Sequence, residues 1–307
     1  MKPIYVLTYS ALKLLSLLPF RVIYLLSDLL AGFMHSIIRY RRKVVRENLE
    51  SSFPEKNDTE LRRIERDFYR FLTDYMLETV KMLSMSDDDI RRHMFIENPE
   101  MVDEAFRRGR NVALLLGHYC NWEWVSSLPL NFKSGIVPAQ VYHHLHNKVM
   151  NDIFMKIRTK FHSNNLEMSE ILRQLIVWKK EGKLSVTGFI ADQAPNLDIH
   201  LFVDFLNHDT PVYTGPERIA KFLDAEVLFC HLHREKRGFY RLRFVKITGA
   251  PKTEKVFDVS RKYFEMLESN IREAPQYWLW SHKRWKRTRK MFNDYWGDNA
   301  DKQLSHL

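Results

Sequence analysis

"LLLGHYCNWEW", residues 114–124, decides how this chain of 307 residues is read. The run VALLLG (112–117) is apolar and bounded by turn signals, which predicts a short buried strand. His118 and Glu123 follow it with four residues between them, and a helix is expected near 121–130. The imidazole therefore falls where a strand surfaces before a helix. In sheets built from alternating strands and helices, ligands bind beyond the carboxyl ends of strands. A histidine there can serve as a general base, because its unperturbed pKa lies near neutrality. A carboxylate that accepts one ring N–H fixes the tautomer and stabilises the protonated ring, and Glu123 is the expected partner. Such a pair suits direct transfer: the histidine takes a proton from a hydroxyl, and that oxygen attacks an activated carbonyl. Cys120, lying between the two, stands as the competing nucleophile. A surface His–Glu pair without chemistry is the bland alternative.

Outward from this stretch, GIVPAQVYH (135–143) and LSVTGFIAD (184–192) read as further strands. EVLFCHLHRE and GFYRLRFVKI, joined by Lys236 and Arg237, read as an antiparallel hairpin. Helical spacing covers 58–84, 99–109, 147–161, 168–181, 214–225 and 254–273, with Asp58 or Thr59 as a cap for the first and Gly182 ending the fourth. Residues 193–213 show little periodicity and are expected to form a loop with short extended pieces. Alternating strands and helices predict an α/β fold whose sheet is mixed and largely parallel, flanked by helices. The expected organisation is an N-terminal anchoring segment (1–45), one main domain (46–295) and a C-terminal tail (296–307).

Residues 3–38 are mostly apolar, but Lys13, Arg21 and Asp28 interrupt them and Pro19 sits mid-run. No charge-free stretch reaches the roughly 18 to 20 residues of a clean span, and no small-residue site closes the run as in a signal peptide. The basic segment RYRRKVVR (39–46) follows. Basic residues beside an apolar helix attract anionic headgroups and mark a cytoplasmic face. The expectation is a helix that lies in or dips into the membrane surface, a true span staying open. A buried helix pair broken at Pro19 is the competing reading.

Net charge of +10 implies an anionic partner without choosing one. The two cysteines cannot build a disulfide framework, and no zinc-type spacing occurs. His143, His144 and His146 cluster, yet consecutive strand residues face opposite ways. WSHKRWKRTRK (280–290) interleaves cations with Trp280 and Trp285. No nucleic-acid fold signature accompanies it, so a membrane, acidic carrier or phosphorylated sugar fits better, and no nucleic-acid partner is expected.

GHYCNWE resembles the HX4E form of the HX4(D/E) motif of lysophospholipid acyltransferase-like enzymes. RENLESSFPE (46–55), VYHHLHNKVMNDIFMKIRTKF (141–161), GFIADQ (188–193) and PQYWLWSHKRWKRTR (275–289) resemble, in order, blocks of the late acyltransferases of lipid A biosynthesis, the Kdo-dependent lauroyl/myristoyl transferase family. The similarity runs from about residue 15 to 290. It implies a glycerolipid acyltransferase-like fold and a metal-free, cofactor-free enzyme on the cytoplasmic face of the inner membrane. It further implies transfer of a fatty acyl chain from acyl carrier protein, or acyl-CoA, to a hydroxyl of a lipid A precursor, a phosphorylated glycolipid.

The same resemblance places functional residues on Arg158 and Asp192. Arg158 would clamp a phosphate or carbonyl oxygen, as a planar guanidinium can. Asp192 would position Arg158 through an ion pair or shape the site. Backbone N–H groups after His118 and the Asn121 side chain are candidate oxyanion donors. The sequence departs from the family at His143, where an arginine is usual, and at VDFLNHD (203–209). Both departures bear on the acceptor, and the same chemistry on another membrane glycolipid or an aminolipid is the alternative.

Overall fold

The computed structural model describes residues 2–133 and 135–305. Helices α1 (Lys2–Leu17) and α2 (Phe20–Gly32) are separated at Pro19, and α2 continues through a π turn, Phe33–Ile37. They are followed by α3 (Arg42–Ser52) and α4 (Asp58–Lys81). Asn57 caps α4 in a capping box with Glu60, one residue before the expected cap. Next come α5 (Asp87–His93), β1 (Met94–Ile96), α6 (Glu100–Arg107) and β2 (Val112–Leu116). Then follow β3 (Val137–Tyr142), α7 (Lys148–Thr159), β4 (Asn164–Glu167), α8 (Ile171–Lys180) and β5 (Ser185–Ile190). A hairpin of β6 (Phe202–Phe205) and β7 (His208–Pro211) precedes α9 (Gly215–Leu223), β8 (Glu226–Lys236) and β9 (Phe239–Thr248). The chain closes with α10 (Asp258–Glu273), α11 (Arg289–Trp296) and α12 (Ala300–Leu304).

Seven strands form one sheet in the order β1-β9-β8-β2-β5-β3-β4. All neighbours pair parallel except β8 with β9. This is the expected mixed, largely parallel α/β sheet. β2 and β5 lie centrally, which explains why every residue of β2 is buried and why it reads as a continuous apolar run. β1 and β4 were not expected; MFI and NNLE are too short to show alternation. The helix expected near 121–130 is instead a 3-10 segment, Trp124–Asn131, with Pro129 inside it. Pro129 has no N–H to continue an α-helical ladder. The segment 193–213 folds largely as expected, its two short strands turning through Leu206 and Asn207, both at positive φ.

The first two helices pack on α4, burying Ile23, Ser27 and Ala31. Their other face is left bare: Leu7 is 73% exposed, Leu25 62% and Leu29 66%. Phe20–Ile37 is the one described helix long and apolar enough to cross a membrane, and only 22% of it is buried. The basic residues after it are partly engaged. Arg42 and Arg46 pair with Glu65, and Arg41 donates to the Ser281 carbonyl.

Candidate active site

The sheet register builds the site. In the β2–β5 pair, Leu116 lies opposite Ile190. His118 and Asp192 stand at the same offset past those partners, so they emerge side by side at the carboxyl edge of the sheet. Gly117 permits the close approach. A Cβ there would lie 2.6 Å from Leu267 Cδ1 and 3.3 Å from Asp192 Oδ2.

The partner of His118 is Asp192, not Glu123. His118 Nδ1 is 2.6 Å from Asp192 Oδ1, and the His118 backbone N–H donates to Oδ2 at 2.9 Å. Trp278 Nε1 also donates to Oδ2, at 2.8 Å. Burial alone would raise the Asp192 pKa. The charge and hydrogen bond of His118, with the Trp278 and backbone donors, overcome burial and hold the carboxyl at about 2. An ionised carboxylate only accepts, so His118 carries its proton on Nδ1 and presents a lone pair at Nε2. Gln193 Nε2 lies 3.3 Å from that atom. The ring is partly open to solvent and packs edge-on against Trp122, at 5.2 Å between centroids.

Glu123 is held elsewhere. Arg158 clamps it through Nε at 2.8 Å and Nη2 at 2.5 Å, a bidentate ion pair. Burial works to lower the Arg158 pKa, but Glu123 overcomes it and keeps the guanidinium above its ordinary range. The two carboxylate pairings expected from sequence are therefore exchanged: Asp192 is paired with His118, and Glu123 with Arg158. Helix α7 supplies Arg158, with Ile153 and Ile157 buried beneath it. The pair sits in an apolar crevice of about 610 Å³, its open mouth included, lined by residues such as Leu116, Val125, Leu128, Phe132, Val141 and Ile190. Trp122 lines the same crevice and touches His118, so the crevice and the strand-edge pair adjoin.

The Asn121 amide is fully buried and donates to Glu78 Oε2 at 2.8 Å, while its Oδ1 caps Trp124 N–H, so it faces away from the site. Of the backbone donors expected after His118, the N–H of Cys120 is committed to Tyr277 O and that of Trp124 to Asn121. The VDFLNHD segment is the β6–β7 hairpin, where Leu206 N–H meets Glu268 and His208 stacks on Trp285, outside the crevice lining. His143 stands exposed just past β3, joined to neither pair; its Nδ1 contacts the His144 carbonyl. Cys120 is fully buried, and burial raises its thiol pKa, which leaves no accessible thiolate. Sequence reasoning missed Trp278, Gln193 and His282 as site residues. All three lie inside blocks that carried the family resemblance, which was the available signal. Among the described residues, no three histidine, cysteine or carboxylate side chains converge as metal ligands.

A histidine–aspartate pair at a strand edge, an adjoining apolar crevice and a bare lipophilic helix layer define a class: an α/β enzyme suited to moving groups on amphiphilic molecules. The sequence profile of the bacterial lipid A biosynthesis acyltransferases matches residues 2–287, and the chain belongs to that family of O-acyltransferases. It is similar to a lipid A biosynthesis palmitoleoyltransferase of Escherichia coli (strain K12), 22% identical over 291 residues, covering 92% of each chain. It is equally similar to a lipid A biosynthesis acyltransferase of Shigella flexneri, again 22% identical with 92% of each chain covered.

Proposed function

We propose that this enzyme transfers a fatty acyl chain from an acyl carrier protein thioester, or acyl-CoA, to a hydroxyl of a lipid A precursor at the cytoplasmic face of the inner membrane. The observation that carries this reading is the His118–Asp192 pair, held at 2.6 Å at a strand edge in a chain of this family. His118 Nε2 takes the proton of the acceptor hydroxyl, and the oxygen attacks the thioester carbonyl. The tetrahedral intermediate then breaks its C–S bond, and the thiolate leaves with the proton from Nε2. Asp192 holds the ring and offsets its transient charge. The apolar crevice receives the acyl chain. Arg158, fixed by Glu123 through Nε and Nη2, keeps Nη1 for a substrate oxygen. The bare face of α1 and α2 lies on the bilayer, bringing the lipid acceptor to the site.

The test is direct. Purified protein, an acyl carrier protein thioester and a Kdo-bearing tetra-acylated precursor should give a product heavier by one acyl chain. His118→Ala should lower turnover by about 1,000-fold or more while the fold is kept. Absence of product from the wild type across a panel of donors and acceptors counts against the reading. Loss of a chain from a different membrane lipid in a deletion strain, with lipid A mass unchanged, would move the acceptor to another glycolipid or an aminolipid.

A further inference from the structure

The intermediate proposed above develops an oxyanion, and several of the donors near His118 are committed elsewhere. His118 N–H serves Asp192, Cys120 N–H serves Tyr277, Trp124 N–H serves Asn121, and the Asn121 amide serves Glu78. One side-chain donor does face the reacting atom. The Gln193 carboxamide nitrogen lies 3.3 Å from His118 Nε2. With Nδ1 protonated toward Asp192, Nε2 has only a lone pair to offer, so the carboxamide must present its N–H and not its oxygen. The turn that bears Gln193 is itself pinned. Ala194 N–H donates to His282 Nε2 at 3.1 Å. Burial pushes His282 down to about 4, so it stays a neutral acceptor at neutral pH.

From this geometry we infer that Gln193 is a further catalytic residue. Its N–H occupies the Nε2 lone pair in the resting enzyme and donates to the oxyanion once the acceptor oxygen has replaced it. An oxygen within hydrogen-bond range of Nε2 arrives where the carboxamide already stands. The oxyanion sits on the same carbon that this oxygen attacks, so the displaced N–H meets it without a large movement. The inference rests on His118 being the base. The charged and titratable groups around His118 are Asp192 beyond β5, His282 from the segment after α10, and Arg284, fully buried in the same segment near Asp192. None of these can donate at Nε2 in place of Gln193, because none is hydrogen-bonded to that atom.

Gln193→Met keeps the length and removes the donor. In the full-length enzyme with an acyl carrier protein thioester and the tetra-acylated precursor, kcat should fall about 100-fold with KM within about threefold. Gln193→Glu places a carboxylate at Nε2 and stabilises the protonated ring. The acid limb of kcat/KM should therefore move up by about one pH unit or more. A structural role alone would not shift that limb. If His118→Ala is inactive while both Gln193 variants keep kcat within about threefold and leave the acid limb in place, the inference is overturned and the base assignment stands. An undiminished rate in His118→Ala removes both.

Discussion

Asp192 and Glu123 are both buried carboxylates, and each is paired with one nitrogen-bearing side chain, His118 or Arg158. The partners differ in kind. Asp192 faces an imidazole, a side chain that can take up or give up a proton. Glu123 faces a guanidinium, which stays charged throughout. The strand-edge pair can therefore change its charge during a reaction cycle, whereas the crevice pair can only hold a geometry. Under the proposed function the two pairs divide the work: one moves protons, and the other places the molecule from which they are taken.

Conservative amides at the two carboxylates should separate these roles most sharply. Asp192→Asn leaves one oxygen for three donors and no charge to support the imidazolium. A loss in kcat of about 1,000- to 10,000-fold is expected. The acid limb of the rate profile should move to lower pH, because the imidazolium loses the carboxylate that would stabilise it. Glu123→Gln should cost less, about 10- to 100-fold, through misplacement of Arg158, with the acid limb unmoved. If the two variants shift the profile alike, the division of roles is wrong. The same contrast reaches stability. Asp192 titrates at about 2 in the folded chain against an ordinary 3.8, a difference of about 2 kcal/mol. Its folded pKa is depressed, so that contribution is present above about pH 4 and is lost as pH falls through about 2. The stability advantage of wild type over Asp192→Asn should close across that window in acid denaturation.

Removing the permanent charge probes the crevice from the other side. Arg158→Ala leaves Glu123, only 4% exposed, without its partner. Breaking a buried pair by deleting one member costs about 3–5 kcal/mol, while replacing both with apolar residues is often neutral. Arg158→Leu combined with Glu123→Leu should therefore recover most of the stability lost in Arg158→Ala, as read by chemical unfolding, and remain catalytically impaired.

How much of this the chain announces is uneven, and the two pairs show why. Strand β2 is legible because a central parallel strand is buried on both faces and must be apolar throughout. His118 is legible because it ends that strand. Its true partner is not, since Asp192 lies 74 residues away and only the β2–β5 register sets them at equal offsets. Glu123 is near in sequence, and local spacing favoured it, but the turn at Cys120 and the 3-10 segment carry its side chain toward α7 instead. Asn121 was misassigned for a related reason: whether a polar side chain in a loop faces the site or the core depends on Glu78, which a helix from the N-terminal layer supplies. Trp278 and His282 reach the site from a distant segment whose own composition reads as basic and aromatic and which only the family resemblance ties to the site.

The crevice pair is also linked to the bare apolar layer of the N-terminal helices. Helix α7, which carries Arg158, packs against α1, with Lys156 over the Tyr9 ring. Charges placed on the bare face should then disturb delivery of substrate and leave proton transfer alone. Leu25→Glu with Leu29→Glu should lower vesicle binding more than tenfold, given roughly 1.5–3 kcal/mol for each buried leucine. KM for the lipid acceptor should rise, while the pH profile stays in place. A shifted profile would mean that the N-terminal helix layer acts on the strand-edge pair as well.

The smallest effect is expected between the two pairs, at Cys120. Its position invites a nucleophilic role, because it separates His118 from Glu123 in the chain. Its backbone explains it better. Cys120 has φ +51°, its N–H is bound to Tyr277 O, and its side chain is fully buried. A left-handed residue here reverses the loop, so that His118 faces the strand edge and Glu123 faces the crevice. Cys120→Ala keeps the Cβ and the turn, removing only a sulfur from the core. Turnover should stay within about threefold of wild type, with a stability loss of about 1 kcal/mol from the small void. A thiol-directed alkylating reagent should leave the folded enzyme active, since burial raises both thiol pKa values. Inactivation by such a reagent, or a large fall in Cys120→Ala, would show that a covalent step runs between the pairs and that His118 activates sulfur in place of a hydroxyl.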